Sequence, residues 1–161
     1  MRTISVAFGG EAGASAIEGI RERDPEGSIL LIGNEAELPY DRPPLSKKLW
    51  LGKKQLADIY LHDETWYEQQ RAQLAPGTEV VQLDPTNRRV VDRKGTTYHY
   101  EKLLLATGGQ PRRLPIPGAT LEGVCYYRCL CDYQYARRLA RPGATAVVLG
   151  GGFIGSEMAA A

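Results

Sequence analysis

The sequence lacks an excess of charge of either sign. Its 161 residues include 20 Lys or Arg and 19 Asp or Glu, which gives a formal net charge of +1. Proteins that bind nucleic acid or anionic membranes through charge carry a basic excess, so this balance argues against both partners. No apolar run approaches the roughly 18 residues that a membrane-spanning helix needs, and the N-terminus lacks the pattern of a signal peptide. These absences predict no nucleic-acid partner, no membrane span and, by default, a cytoplasmic location.

Cysteine and histidine are also scarce. The three cysteines, Cys125, Cys129 and Cys131, lie close together, whereas the two histidines are distant, at His62 and His99. A zinc site would need a fourth ligand near the cysteines, and the C-x-x-C spacing of a redox pair is missing. The cysteines are therefore interpreted as small, half-buried thiols, with no metal site and little redox chemistry at sulfur.

Apolar strands alternate with an amphipathic helix at the start of the chain. Residues 3–8 and 28–33 are short and apolar and include β-branched side chains, which is typical of buried parallel strands. Between them, the apolar spacing from Ala12 is helical, and Asp24-Pro25 ends that helix. A strand, a helix and a strand within about 30 residues predict a βαβ unit.

The rest of the chain mixes short strands with helices. A short helix over residues 45–50, opened by Pro44, and a second helix with Asp63 as its N-cap are predicted first. Further strands are predicted at residues 78–83, 88–92, 96–100 and 102–107. A proline-rich stretch (Pro111 to Gly118) then indicates a domain boundary. The last predicted elements are a helix at 132–140, a strand at 145–149 and a helix that begins near Phe153.

A glycine-rich hexad, Gly150 to Gly155, follows the last predicted strand and opens the last helix. It fits G-x-G-x-x-G, in which Gly150 allows a tight turn, Gly152 lets a pyrophosphate approach and Gly155 lets helix and strand pack closely. The helix N-terminus offers free N–H groups and a positive dipole to the phosphates. The pattern predicts a dinucleotide site.

The N-terminal copy of this hexad, Phe8 to Gly13, is less regular. It has Phe8 where the first glycine is expected, which restricts the turn, whereas Gly10 and Gly13 keep the phosphate approach and the packing contact. Gly9 belongs to the same turn and is counted among the cofactor-binding residues. The acidic ribose ligand is expected about 20 residues further on. Glu35, which follows Asn34 at the end of the second strand, lies 22 residues after Gly13 and matches that position.

Two dinucleotide folds with short antiparallel strands between them resemble the flavoprotein reductases with two dinucleotide domains, in the subgroup similar to ferredoxin reductases and apoptosis-inducing factor. Three segments carry the resemblance: Leu38 to Lys47 (LPYDRPPLSK), Tyr100 to Gly108 (YEKLLLATG) and Gly150 to Glu157 (GGGFIGSE). It implies an α/β fold of the Rossmann-like FAD/NAD(P)-binding type, a three-layer arrangement with a parallel sheet and a small antiparallel β-meander. Residues 1–112 would form the first segment of the FAD domain, and 113–161 the start of an incomplete NAD(P) domain.

The resemblance also implies roles for single residues. Arg42 would contact the FAD pyrophosphate, because a guanidinium on a rigid Pro-Pro loop suits that task. Lys47 would lie near the N5 edge of the flavin, paired with Glu157, and the two are the predicted catalytic residues. Two unrelated surface charges are the alternative interpretation of that pair. Ala106, Thr107 and Gly108 would line the FAD site. Asn34 stands where the family usually has an acid, so ribose binding would fall to the Asn34 amide or to Glu35.

The function implied is that of an FAD-dependent NAD(P)H oxidoreductase that passes electrons to a ferredoxin- or quinone-type acceptor. The missing C-x-x-x-x-C near residues 42–47 argues against the disulfide-reductase branch. The alternatives are a redox-controlled binding or signalling protein like apoptosis-inducing factor, and an inactive fragment. The resemblance allows a homodimer. Because the βαβ unit begun at residue 145 has no second strand, the 161 residues are expected to be the N-terminal part of a longer protein and not competent alone.

Overall fold

The computed structural model of the chain describes residues 3–7 and 10–161. It divides into two compact units, each made of two stretches of chain: Met1–Asp41 with Tyr60–Gly108, and Arg42–Ile59 with Gly109–Ala161. The strands of the first unit are β1 (Thr3–Ala7), β2 (Ser28–Ile32), β3 (Ala72–Ala75), β4 (Val80–Asp84), β5 (Arg89–Asp92), β6 (Thr97–His99) and β7 (Lys102–Leu105). Its α-helices are α1 (Glu11–Arg21) and α2 (Glu64–Gln69).

The first unit contains a four-stranded parallel sheet in the order β3-β2-β1-β7. Helix α1 connects β1 to β2, as the predicted βαβ unit requires. Ile17 of α1 is completely buried and belongs to a core cluster with Ile29 and Leu31 of β2 and Tyr67 of α2. Removing one such aliphatic side chain from water stabilises a fold by roughly 1.5–3 kcal/mol. This cluster packs the middle of α1 against β2 and α2.

A separate antiparallel sheet, in the order β4-β5-β6, forms the predicted meander. Both of its turns are held by an aspartate. Asp84 accepts a hydrogen bond from the backbone N–H of Asn87 (3.0 Å), and Asp92 accepts from the N–H groups of Lys94 (2.9 Å) and Thr96 (2.7 Å). The Rossmann-like α/β fold class predicted from the sequence, a parallel sheet with a small antiparallel meander, is therefore confirmed.

The described residues of the second unit form helices and irregular segments. Its α-helices are α3 (Leu130–Leu139) and α4 (Phe153–Ala160), and its 3-10 helices are Pro43–Ser46 and Leu56–Ile59. The Trp50 ring makes edge contacts with Tyr127 and with Tyr133 of α3, at centroid distances of 6.3 and 5.8 Å. These aromatic contacts join the loop before Trp50 to the start of α3.

Three predictions about secondary structure were wrong. Residues 45–50 do not form a helix, because after Pro43–Ser46 the backbone of Lys47 (φ −125°, ψ −108°) leaves the helical region. Residues 145–149 do not form a strand, since the described residues of the second unit offer no strand to complete a ladder. Strand β3 was missed: Leu74 pairs with Leu31 along the sheet although the segment lacks β-branched side chains.

The N-cap prediction at Asp63 is confirmed. Its side chain accepts a hydrogen bond from the backbone N–H of Trp66 at 2.8 Å, which satisfies one of the unpaired donors at the start of α2. None of the helices among residues 3–7 and 10–161 has the length and hydropathy of a membrane span.

Candidate functional site

The parallel sheet of the first unit has a topological switch point beside β1. Strand β2 pairs with one side of β1 and β7 with the other. In open α/β sheets, ligands bind at such a point, outside the carboxyl ends of the strands. The segments that follow these three carboxyl ends contain the residues predicted from the sequence, which are Gly10, Gly13, Asn34, Glu35, Ala106, Thr107 and Gly108. Gly9 lies outside the described residues.

Helix α1 begins at this edge of the sheet with Gly10 as its N-cap. The Gly10 carbonyl accepts hydrogen bonds from the N–H groups of Gly13 (3.0 Å) and Ala14 (3.1 Å), which starts the helix. A Cβ added at Gly10 would meet no other described atom within 4 Å, so the backbone there is open to a ligand. Gly13 is buried. The free N–H groups of the first turn and the helix dipole favour an anion such as a phosphate.

The end of β2 carries an acid that is held in place. The hydroxyl of Tyr40, itself buried, donates a hydrogen bond to Glu35 Oε2 at 2.5 Å. Asn34 is exposed, whereas Glu35 is half-buried and lines a small pocket with Gly33, Leu38 and Pro39. A carboxylate fixed beside a pocket at the end of β2 can accept hydrogen bonds from hydroxyl groups. The contact of Tyr40 with Glu35 was not predicted from the sequence.

A second tyrosine–carboxylate pair lies along the same loop. Tyr60 donates a hydrogen bond to Glu37 Oε2 at 2.6 Å, and Tyr40 and Tyr60 form an isolated antiparallel bridge. Burial, together with the Glu37 carboxylate, raises the pKa of Tyr60 to about 12. Tyr60 therefore stays protonated at neutral pH and remains a donor, which helps to fix the loop that follows β2.

The segment Ala106 to Gly108 follows the carboxyl end of β7. Ala106 is half-buried, and Thr107 and Gly108 are exposed. Gly108 has φ +62°, in the left-handed region that glycine adopts without strain. The chain can therefore turn sharply after β7.

In the second unit, Lys47 and Glu157 form an ion pair although 110 positions separate them in the sequence. Lys47 Nζ lies 3.2 Å from Glu157 Oε1, and Ser46 Oγ donates a hydrogen bond to Glu157 Oε2 at 2.6 Å. Ser46 is only 7% exposed. The Ser46 hydrogen bond, and next the Lys47 ammonium, hold the pKa of Glu157 below its usual range. Glu157 is thus ionised at neutral pH, and its two carboxylate oxygens contact different partners, Oε1 the ammonium of Lys47 and Oε2 the hydroxyl of Ser46.

Sequence reasoning missed Ser46, because a serine in a loop gives no signal of what it will contact. Its position could have been found only from the 3-10 turn that Pro43 and Pro44 start. In that turn, the N–H of Leu45 donates to Arg42 O and the N–H of Lys47 donates to Pro44 O, both at 3.0 Å. The turn ends at Lys47 and places consecutive side chains, those of Ser46 and Lys47, on the same carboxylate.

Arg42 begins the same loop. Its Nη1 donates to the backbone carbonyl of Arg128 at 3.2 Å, and nearby the Tyr127 hydroxyl donates to Leu45 O at 2.7 Å. These contacts tie the loop of residues 42–50 to the segment that leads into α3. Arg42 is half-buried, so its guanidinium is oriented but accessible.

The hexad Gly150 to Gly155 forms the predicted turn and helix start, although the strand predicted before it does not form. Gly150 has φ +105°, which favours glycine. A Cβ at Gly155 would lie only 2.2 Å from the Gly150 carbonyl oxygen, so α4 could not start so close to the turn with any other residue there. Gly152 is the N-cap of α4 and accepts from the N–H of Ser156 at 2.9 Å, while a Cβ on it would meet open space. The turn and the helix N-terminus suit a pyrophosphate.

The cysteine interpretation requires a correction. Cys129 and Cys131 form a disulfide, and the described free thiol is Cys125. Their Cα atoms are 5.3 Å apart, within the usual range for a disulfide even though one residue separates them. The bridge was not predicted, because its C-x-C spacing differs from the C-x-x-C spacing of redox pairs.

Comparisons with known proteins agree with this architecture. The model of the pyridine nucleotide-disulphide oxidoreductase family matches residues 9–161. The chain is 39% identical over 158 residues to rubredoxin-NAD(+) reductase of Pseudomonas putida, covering 98% of the chain and 41% of the relative. It is 37% identical to apoptosis-inducing factor 1 of Dictyostelium discoideum, covering 95% of the chain and 32% of that protein.

Solved structures show the same relationship. The ferredoxin reductase for the CYP199A2 system of Rhodopseudomonas palustris superposes with a TM-score of 0.91 at 34% identity, covering 99% of the chain and 39% of that structure. The putidaredoxin reductase in its covalent complex with putidaredoxin has a TM-score of 0.87 at 34% identity, covering 99% of this chain and 39% of that one. The chain therefore spans about two fifths of the length of these two relatives.

Proposed function

Because the chain belongs to the pyridine nucleotide-disulphide oxidoreductase family, we propose that the whole protein is an FAD-dependent NAD(P)H oxidoreductase. Its acceptor in this proposal is a small electron carrier of the ferredoxin or rubredoxin kind, which the names of its relatives support. Residues 1–112 are proposed to belong to the FAD domain and 113–161 to the NAD(P) domain. The main observation that supports the proposal is the ion pair of Lys47 with Glu157, whose carboxylate also accepts a hydrogen bond from Ser46.

The residues at the switch point fit the adenosine and pyrophosphate part of FAD. The N-terminus of α1 at Gly10 would bind phosphate, and the carboxylate of Glu35, aimed by Tyr40, would accept from the ribose. Thr107 and Gly108 would line the same site through their backbone. Arg42 is proposed to contact the pyrophosphate, since its guanidinium is already oriented by the Arg128 carbonyl.

Lys47 is proposed to supply a fixed positive charge at the flavin. The chemistry that bound FAD would supply is hydride acceptance from the nicotinamide and release of electrons one at a time. Negative charge that develops there is stabilised most by a cation that does not have to reorganise. Glu157 holds Lys47 in place, and Ser46 holds Glu157, so Glu157 and Ser46 act as positioning residues. The turn Gly150, Gly152 and Gly155 would bind the pyrophosphate of NAD(P)H.

A second candidate function is a redox-controlled binding protein, which the similarity to apoptosis-inducing factor 1 supports. The two differ in kinetics. Sustained NADH oxidation with an added ferredoxin or rubredoxin indicates the reductase, whereas a slowly formed, long-lived reduced complex indicates the binding protein. A quinone replacing the protein acceptor would identify a quinone-type reductase. A cytoplasmic location and a homodimer remain predictions, which fractionation and light scattering can test.

The experiment compares the whole protein with residues 1–161 expressed alone. We expect the whole protein to hold FAD, seen as the visible absorbance of oxidised flavin, and to oxidise NADH when the carrier protein is present. Residues 1–161 should retain little FAD and oxidise NADH negligibly, because apolar side chains such as Val147 and Phe153 (81% and 90% exposed) have no packing partner in the described fold. A whole protein without flavin would contradict the proposal.

A further inference from the structure

The Cys129–Cys131 disulfide adds little to the stability of the fold. A disulfide stabilises mainly by restricting the unfolded chain, and the effect grows with the length of the loop that it closes. Here a single residue, Leu130, separates the two cysteines. Disulfides are also rare in the cytoplasm, where those that occur are usually catalytic or redox-sensing. A disulfide that closes so short a loop, in a protein proposed to be cytoplasmic, is better explained by thiol–disulfide exchange than by a stabilising role.

The two sulfurs have different surroundings. Cys131 is exposed, so an incoming thiolate can reach its Sγ. Cys129 is half-buried at the N-cap of α3, and its Sγ lies 3.1 Å from Asp132 Oδ2. The positive end of the α3 dipole favours a thiolate on Cys129, whereas the negative charge of Asp132 opposes it. The sulfur of Cys129 therefore takes up a proton as it leaves, and the thiol that forms can donate to Asp132 Oδ2. Both redox states are therefore accommodated at this position.

The disulfide lies within the segment that contacts the loop of residues 42–50. The residue before Cys129, Arg128, accepts from Arg42 through its carbonyl, and Tyr127 donates to Leu45 O. Two residues after Cys131, Tyr133 contacts the ring of Trp50. Asp132 Oδ2 also accepts from the N–H groups of Arg128 (2.7 Å) and Cys129 (2.8 Å), which fixes the direction of this turn. Reduction of the disulfide would therefore alter the contacts at both ends of the loop.

We propose that Cys129 and Cys131 form a thiol–disulfide exchange site for dithiol reductants, and that its redox state alters the contacts of the 42–50 loop. One thiolate of the dithiol attacks Cys131 Sγ, and the Cys129–Cys131 bond breaks with its electron pair on Cys129. The second thiolate then attacks the dithiol's own sulfur in the mixed disulfide and releases Cys131. Two electrons and two protons pass to the cysteines, and the dithiol becomes a disulfide.

The test labels thiols in the whole native protein with one alkylating reagent, denatures it, reduces it with dithiothreitol and labels it with a second reagent. Trypsin cleaves after Arg128 and Arg137, so Cys129 and Cys131 appear in the peptide CLCDYQYAR, separate from Cys125. We expect both cysteines of that peptide to carry only the second label. If both carry the first label in air-equilibrated protein, there is no disulfide and the proposal is overturned. This readout does not depend on flavin content or activity.

Exchange and coupling are tested on the same protein. Titration of the native protein with dithiothreitol of defined redox ratio should convert the pair in one two-electron step, and should change Trp50 fluorescence in the native protein and in Cys125→Ser. The Cys131→Ser variant, which has no disulfide, should show no fluorescence change. Resistance of the folded protein to dithiothreitol would overturn the exchange site. An equal fluorescence response in Cys131→Ser would overturn its coupling to the loop.

Discussion

The chain contains two segments that each consist of an apolar run, a glycine-rich turn and a helix. The two segments differ in the contacts that they make with the rest of the fold. The first segment provides β1, which pairs with β2 and β7, and α1, whose Ile17 is completely buried. The second keeps its turn at Gly150 and its helix α4, yet residues 145–149 form no strand and Val147 is 81% exposed. Turns and helix starts are thus set locally, whereas strands need partners from elsewhere in the chain.

The largest effect that separates the two segments is expected in stability. Replacing Ile17→Ala removes a side chain packed on Ile29, Leu31 and Tyr67. We expect the free energy of unfolding of the first unit to fall by about 2–5 kcal/mol, as for other buried aliphatic residues. In residues 1–161, the matched change Val147→Ala should alter the free energy of unfolding of the second unit by about 0.5 kcal/mol or less. Urea unfolding measures both, and equal losses would show that Val147 packs as Ile17 does.

The next effect concerns the turn of the second segment. In Gly155→Ala, the new Cβ would lie 2.2 Å from the Gly150 carbonyl oxygen, so the start of α4 must move. Such overpacking costs about 1–3 kcal/mol, and we expect faster amide hydrogen exchange in α4. The control Gly152→Ala has space for its Cβ and should leave that exchange unchanged, although it should weaken NAD(P)H binding. Identical exchange in Gly155→Ala would mean that the close approach is absent.

A smaller effect is expected on the titration of Glu157. Its pKa is lowered chiefly by the Ser46 hydrogen bond and then by Lys47. Since the pKa is lower in the folded state, the pair contributes stability above the pKa of the unfolded state and loses it as pH falls through the folded pKa. Ser46→Ala should raise the midpoint of Glu157 toward its ordinary value, measured by NMR of the carboxyl carbon. An unchanged midpoint would show that Ser46 does not hold this carboxylate.

Sequence patterns predicted the parts of the fold that depend on neighbours along the chain. The βαβ unit and the Asp63 N-cap follow from local spacing and capping chemistry. Strand β3 did not, because its residues carry no strand signal and only pairing with β2 makes it one. Likewise, the absence of a strand at residues 145–149 could not be predicted, because an apolar run does not show whether a partner strand is available.

At the candidate site, the residues could be predicted from the sequence, whereas the contacts between them could not. The glycines, Arg42, Lys47 and Glu157 were predicted from motifs and from the family resemblance. The contacts that orient them were not, since Ser46 with Glu157 and Tyr40 with Glu35 join side chains through the folded backbone. The Cys129–Cys131 bridge was missed for a related reason: its short spacing matches no common motif, and only the turn at the start of α3 brings the sulfurs together.

The most direct test of the proposed role of the second unit is the rate of flavin reduction by NADH, followed by anaerobic stopped-flow absorbance in the whole protein. Lys47→Ala should slow reduction and lower the flavin midpoint potential while FAD occupancy stays nearly unchanged, because the fixed cation is lost but the pyrophosphate contacts are not. Lys48→Ala, which removes the adjacent exposed lysine, is the control and should reduce at the unmutated rate. Equal reduction rates in Lys47→Ala and the unmutated protein would contradict the role proposed for Lys47 and Glu157.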